Sequence, residues 1–232
     1  MARRTREDAL ETRERLLDAA LEVFHARGAS APSLSDIAAL AGVTRGAVYV
    51  HFENKADLFS ALCDRTLLPM DAVSCDASGA SGPLARLRAL CAYQMHQTAT
   101  DPSYRKMSDI LFHRCEFNEA NAAIMERRLE RRARCLEARK ALGREAVAAG
   151  ELPADLDIDR AITLLHGAVI GVIRDWLWDP TPIDLAAESG RFADALIEMI
   201  RTSPALRRIE RAPAEPTHAR DLPRAGLPRQ PA

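Results

Sequence analysis

Between Leu34 and Phe52 the chain reads LSDIAALAGVTRGAVYVHF, and three residues in it are spaced to hold two short helices at a fixed angle. Such a joint needs a small residue where the helices cross, one that accepts positive φ in the turn, and a branched apolar residue on the second helix. Ala38, Gly42 and Val48 meet these needs, with Ile37, Ala41 and Val43 filling the wedge. On a helix turning about 100° per residue, Arg45, Gly46, Tyr49 and Val50 share one face, while Ala47, Val48 and His51 turn to the other. The first face suits base edges and phosphates. Arg45 can fork to O6 and N7 of a guanine, a contact worth about 1–3 kcal/mol of discrimination, and Gly46 beside it admits a close backbone. Thr44 and Tyr49 offer hydroxyls to phosphate, and Lys55 adds charge to the free N–H groups opening the next helix. Ser33 and His51 complete the candidate set for contact with a double-stranded DNA operator. Each has an ordinary alternative, Arg45 as a solvated charge and Tyr49 as a half-buried packing residue. Their joint placement after Gly42 favours DNA. Arg3, Arg4 and Arg6 are either a frayed end or a basic arm.

The elements that must position these residues read as all-α. Apolar residues recur at spacings of three and four, and no run alternates for a strand's length. A first helix is expected over about 8–27, with Leu10, Leu17, Leu21 and Phe24 on one face and Gly28 ending it. Ser33 and Asp36 fit a capping box for the second, the third starts after Thr44, and Asn54 caps a fourth containing Leu58, Phe59, Leu62 and Leu67. A flexible loop at 74–82 precedes further helices near 84–99, 103–115, 119–149, 158–178 and 184–202. The division expected is a DNA-binding head over 1–54, a helical-bundle body over 55–203, and a disordered tail over 204–232, which holds six of the thirteen prolines.

Composition narrows the function classes. The chain has 232 residues, 47% apolar and 28% charged, within the globular range, and its net charge of −1 requires any affinity for a polyanion to come from local placement. Five cysteines without C-x-x-C spacing read as reduced thiols in a cytosol. The longest nearly apolar stretch, 161–173, is interrupted by His166 and shorter than the roughly 20 residues of a bilayer span, so no membrane partner is expected. Nucleotide-binding, nucleophile-elbow and zinc-protease motifs are missing and the histidines lack ligand spacing, so neither an enzyme nor a metal or cofactor is expected.

The first 60 residues resemble the TetR family of one-component regulators. The similarity continues in order through FHRCEF (112–117), GELPADLD (150–157), RDWLWDP (174–180) and SPALRR (203–208), and this set is similar to the AcrR branch, local repressors of multidrug efflux operons. The resemblance implies a homodimer with a three-helix helix-turn-helix head and a ligand-binding, dimerising helical body. It departs from the family at Val50, where an aromatic residue often contacts the DNA backbone, and at Cys63, often a bulky aromatic.

In the body, Phe112, His113, Glu116 and Phe117 combine aromatic walls with polar groups, as a site for a hydrophobic or cationic drug-like inducer needs. Cys63, Leu67 and Met70 are expected to line the fourth helix toward that pocket, so that a ligand pulls on the head. The 158–178 helix is apolar around much of its circumference, and Gly167 and Gly171 admit a close neighbour. An internal core helix is the plain reading; the resemblance favours a four-helix dimer interface of Gly167, Gly171, Ile173, Trp176, Phe192, Leu196 and Met199. Regulation of lipid or catabolic genes, and a redox sensor built on Cys63 or Cys115, are the competing readings.

Overall fold

Helix boundaries follow the caps. The computed structural model describes residues 2–67, 82–116 and 121–209, with side chains from Glu7 onward. Its helices are α1 (Ala2–Arg27), α2 (Leu34–Ala41), α3 (Arg45–His51), α4 (Lys55–Thr66), α5 (Pro83–Thr100), α6 (Pro102–His113), α7 (Ala122–Ala148), α8 (Ile158–Trp178) and α9 (Leu185–Thr202). No strand occurs among the described residues, only a single antiparallel bridge between Leu156 and Arg207.

Short polar side chains start most of the helices. Ser33 Oγ accepts the Asp36 amide at 3.2 Å while the Asp36 carboxylate accepts the Ser33 amide at 2.8 Å, a reciprocal cap that starts α2. Thr44, Asn54, Asp101, Asp157 and Asp184 cap α3, α4, α6, α8 and α9 through side-chain oxygens. Gly28 and Gly42 end α1 and α2 at φ 75° and 67°, a left-handed geometry that Cβ-bearing residues resist.

Two apolar clusters organise the chain. The first joins Leu17, Phe24, Ile37, Val48, Leu58, Phe59 and Leu62 from α1–α4 to Met107 and Ile110 of α6 and Ile124 of α7. Phe24 and Phe59 meet edge-to-face at 5.6 Å between ring centres. The second lies in the body, where α5 packs along α9 and α8 supplies Leu165, Val169 and Ile173. The packing therefore differs from a head ending at residue 54. Helix α4 buries Leu58, Phe59, Leu62 and Cys63 in the head's core, because its apolar face has α1 to pack on.

Two further expectations change. α1 begins at Ala2, and Leu10 is 57% exposed, because it precedes the part of α1, from Leu16 onward, that packs into the head's core. Residues 204–209, assigned to the tail, are ordered: a 3-10 turn at Pro204–Leu206 buries Leu206, whose carbonyl accepts the Asp157 amide at 2.8 Å. Residues 210–232 and the loop over 74–81 lie outside the described residues.

Candidate nucleic-acid interface and ligand cavity

Arg45, Gly46, Tyr49 and Val50 stand exposed on α3, while Val48 is fully buried beneath them and Ala47 and His51 are half-buried. Arg45 Nη2 donates to Tyr49 Oη at 3.2 Å, and the guanidinium carbon lies 5.7 Å from the Tyr49 ring centre. The two groups thus form one outward unit. Thr44 Oγ1 accepts the Ala47 amide at 3.2 Å and the residue stays exposed, so its O–H proton is free to donate outward. A Cβ on Gly46 would meet only Thr44 Oγ1, at 3.8 Å, so the fold itself does not require glycine there.

The α2–α3 turn has a support that sequence reasoning missed. Arg15 of α1 reaches across to donate from Nη2 to the Ala41 carbonyl at 2.5 Å, covering the C-terminal end of α2 beside Gly42. Its separation of 26 residues leaves no local signal in the sequence.

Two expected contact residues are engaged elsewhere. Lys55 Nζ donates to the carbonyls of Ser30 at 2.8 Å and Pro32 at 3.3 Å, and burial lowers its pKa. Its ammonium ties the α1–α2 loop to α4 rather than facing outward. The Ser33 hydroxyl donates to Asp36 Oδ2 at 2.5 Å as well as accepting the Asp36 amide. Hydrogen bonds from the Ser33 side chain and amide, and then from Arg27, hold the Asp36 carboxyl well below the usual carboxylate range, so an anion stands where a phosphate was expected. His51 remains partly exposed, its ring 6.3 Å from that of Phe52.

A cavity of about 390 Å³ lies where α4 ends against the body. Asp64 and Leu67 close it on the head side, Tyr104, Ser108, Leu111 and Phe112 line it from α6, and Arg131, Arg134 and Cys135 from α7. Gln94 of α5 and Ile170 and Ile173 of α8 complete the far wall. Phe112 and Leu67 are therefore walls, as their sequence positions implied, but Cys63 is not. It is 4% exposed within the head core, where burial pushes its thiol up to about 12. The spacing of four misleads because α4 ends at Thr66 and Leu67 has already left the helix at ψ 87°.

His113 and Glu116 also lie off the cavity wall. Tyr104, Ser108, Leu111 and Phe112 recur at helical spacing on one face of α6, which turns His113 away. His113 Nδ1 lies 3.0 Å from Asp109 Oδ1, and its ring meets Trp178 edge-on at 6.0 Å. Burial alone would raise the Asp109 carboxyl, but hydrogen bonds from Arg114 and His113 hold it below its ordinary value, and His25 of α1 approaches it at 3.3 Å. This cluster binds head to body. Glu116 is exposed, with its carbonyl accepting from Asn121 at 3.1 Å. Phe117 and Met70 lie outside the described residues.

On the outer side of the body a Cβ on Gly167 or Gly171 would meet nothing within 4 Å, and Leu164 is 46% exposed. Phe192, Leu196 and Met199 of α9 are half-buried. Trp176 is half-buried too, its indole N–H donating to the Ile183 carbonyl at 3.0 Å and its ring under Arg105 at 5.1 Å. Ile173 does not belong to this face. It continues the inward line of Leu165 and Val169, is 3% exposed, and walls the cavity. The 21 residues of α8 also exceed the apolar stretch read from sequence: by length and composition the helix is long and apolar enough to cross a membrane. Packing against α5, α6, α7 and α9 buries one side of it, leaving only 28% of its most apolar window buried.

Residues 16–62, from α1 into α4, match the model of the bacterial regulatory proteins of the tetR family, and residues 82–202 match the C-terminal region of MAATS-type transcriptional repressors. The chain belongs to the TetR family. Over 210 residues it is 38% identical to the HTH-type transcriptional regulator TtgR of Pseudomonas putida, covering 90% of this chain and 100% of that relative. It is 35% identical to the HTH-type transcriptional regulator AcrR of Shigella flexneri over 212 residues, 89% of this chain and 97% of that one. Among solved structures, NalD, described as the secondary repressor of the MexAB-OprM multidrug efflux pump in Pseudomonas aeruginosa, superposes with a TM-score of 0.72 at 33% identity, over 82% of this chain and 96% of that chain. These relatives are transcriptional regulators, and the TetR-family helix-turn-helix here is α2 and α3.

Proposed function

We propose that this TetR-family protein represses transcription by binding operator DNA as a homodimer through α3, and that a hydrophobic drug-like molecule entering the cavity releases it. One observation carries the reading: the Arg45–Tyr49 pair stands outward on a helix whose reverse side is locked by the fully buried Val48. An α3 of seven residues is only about 10 Å long, so one copy reads few bases; two copies about 34 Å apart read a palindrome. The uncovered Gly167 and Gly171 on α8, with Phe192, Leu196 and Met199 on α9, supply the surface on which a second copy packs.

The cavity supports coupling between ligand and head. Arg131 pairs with the Asp64 carboxylate and donates to the Leu67 carbonyl at 2.7 Å, so a ligand that displaces Arg131 acts directly on the end of α4. α4 shares a core with α1 through Phe59 and Phe24, and a shift there changes the separation of the two heads. Repression is lifted to the extent that ligand binds the non-fitting separation more tightly. NalD's role as a pump repressor supports a multidrug efflux operon as the target, with the regulator acting in the cytoplasm.

The test is Arg45→Ala in a mobility-shift titration against a fragment carrying the protein's own promoter. Affinity is expected to fall roughly tenfold or more, with unchanged elution in gel filtration. Undiminished sequence-specific affinity would remove Arg45 from the interface and with it this reading of α3.

A further inference from the structure

Among the described residues the charges around the cavity are unbalanced. α7 turns Arg131, Arg134 and Cys135 toward it, and Arg139, 2% exposed, sits behind Gln94 in the wall. Arg131 is offset by Asp64, the sole carboxylate among the described lining residues. Neither Arg134 nor Arg139 has a carboxylate within ion-pair distance among the described residues. Arg139 is held by neutral groups alone, donating to Gln94 Oε1 at 2.6 Å and meeting His166 Nδ1 at 3.4 Å. Burying a cation without a counter-charge is costly, and the field it leaves in the adjacent low-dielectric space attracts an anion.

The neighbours carry that field into the cavity. Burial raises the Tyr104 hydroxyl to about 12, while Arg139, Arg131 and a hydrogen bond with Gln94 act on it in the opposite sense. The phenol is thus a neutral donor in the wall, polarised by the guanidiniums behind it. Burial and the Arg139 charge hold His166 at about 4, so the imidazole stays neutral and accepts from Arg139. A carboxylate free to attract a cation is missing among the described lining residues, since Glu116 lies off the wall and Asp64 is already paired.

We infer that the cavity selects amphiphiles carrying one negative charge, an aromatic carboxylate or an acidic phenol ionised at neutral pH, with the anion drawn to the Arg134, Gln94 and Tyr104 side and the aromatic body against Phe112 and Ile170. This deepens the ligand-released repressor reading, and rests on it for the consequence of binding but not for the charge preference itself.

The experiment is calorimetric titration of the full chain at low salt with three probes of one shape: 2-naphthoate, neutral 2-naphthamide and 2-naphthylmethylammonium. The carboxylate is expected to bind roughly tenfold tighter than the amide, and the ammonium weakest. Arg134→Gln, at an exposed position without an ionic partner among the described residues, should bring carboxylate and amide to within roughly threefold; Arg139→Met should do the same from inside. The proposal is overturned if the ammonium binds as tightly as the carboxylate, if the preference survives both substitutions, or if none of the three binds at millimolar concentration. The same preparation is assayed against promoter DNA. If the carboxylate preference holds but no DNA is bound, the regulator reading fails and the ligand class stands. If DNA is bound and released by the ammonium alone, the ligand class fails and the regulator stands.

Discussion

The outward placement of Arg45 and Tyr49 was legible in sequence because helical geometry alone separates them from Val48, and the tie of Ser33 to Asp36 was legible as a capping box, whereas the engagement of Lys55 was not, because its partners are set by folding. Lys55 opens α4, where its charge opposes the helix dipole, yet it serves two loop carbonyls 23 and 25 residues away. Lys55→Ala is therefore expected to cost about 1–3 kcal/mol in denaturant unfolding, by removing the hydrogen bonds that tie the α1–α2 loop to α4. The slope of log affinity for DNA against log salt should stay unchanged; a slope reduced by about one would return Lys55 to phosphate contact. His166 gives a pH test. Its folded pKa of about 4 lies below the ordinary histidine value of 6.5, so between these values the unfolded chain binds the proton first and stability falls as pH falls. Partial solvent screening limits the effect to roughly 1–2 kcal/mol. Wild type should lose that much more than His166→Gln between pH 7 and pH 4.5, and parallel losses would place the titration elsewhere.

At the scale of elements, the α2–α3 joint separates structural from recognition glycines. Gly42 holds φ 67° with Arg15 Nη2 3.2 Å from where a Cβ would stand, so Gly42→Ala should destabilise the head by about 1–2 kcal/mol, read as a lower denaturant midpoint at constant slope. Gly46 lies inside α3 with open space before it, so Gly46→Ala should leave stability equal or raise it by up to about 1 kcal/mol. Its cost should appear in DNA affinity alone, because the added methyl stands between the helix and the duplex. Equal DNA affinity for Gly46→Ala and wild type would put α3 farther from the bases than a major-groove fit allows.

For the whole molecule the decisive surface is the outer face of α8 and α9. Arginine at Gly167 or Gly171 meets nothing in a single chain, so Gly167→Arg and Gly171→Arg should keep the helical circular dichroism of wild type. In gel filtration each should elute as a monomer, and DNA binding should fall with dimerisation, since one seven-residue helix makes too few contacts alone. Wild-type elution for both variants would move the dimer to another face. Leu164 is exposed while Ile173 is buried beside the cavity, so the two sides of α8 have different surroundings.

Local rules sufficed for the all-α class, for most helix starts and for the outward residues of α3, because caps, positive-φ glycines and the 3.6-residue period act within one or two turns. They placed Phe112 and Leu67 on the wall of a cavity, whereas the fold puts Cys63 in the head core, His113 off the wall and Ile173 on the inward side of α8. The side of α4, α6 or α8 that meets a cavity depends on which other helices pack against it. Charge balance belongs to the same class: Arg139 is one of many arginines in a nearly neutral sequence, and only folding sets it behind Gln94 and beside His166, with no carboxylate near it among the described residues. Short-range backbone geometry wrote the outward face of α3, whereas the cavity and the charges around it arise from side chains brought together across dozens of residues.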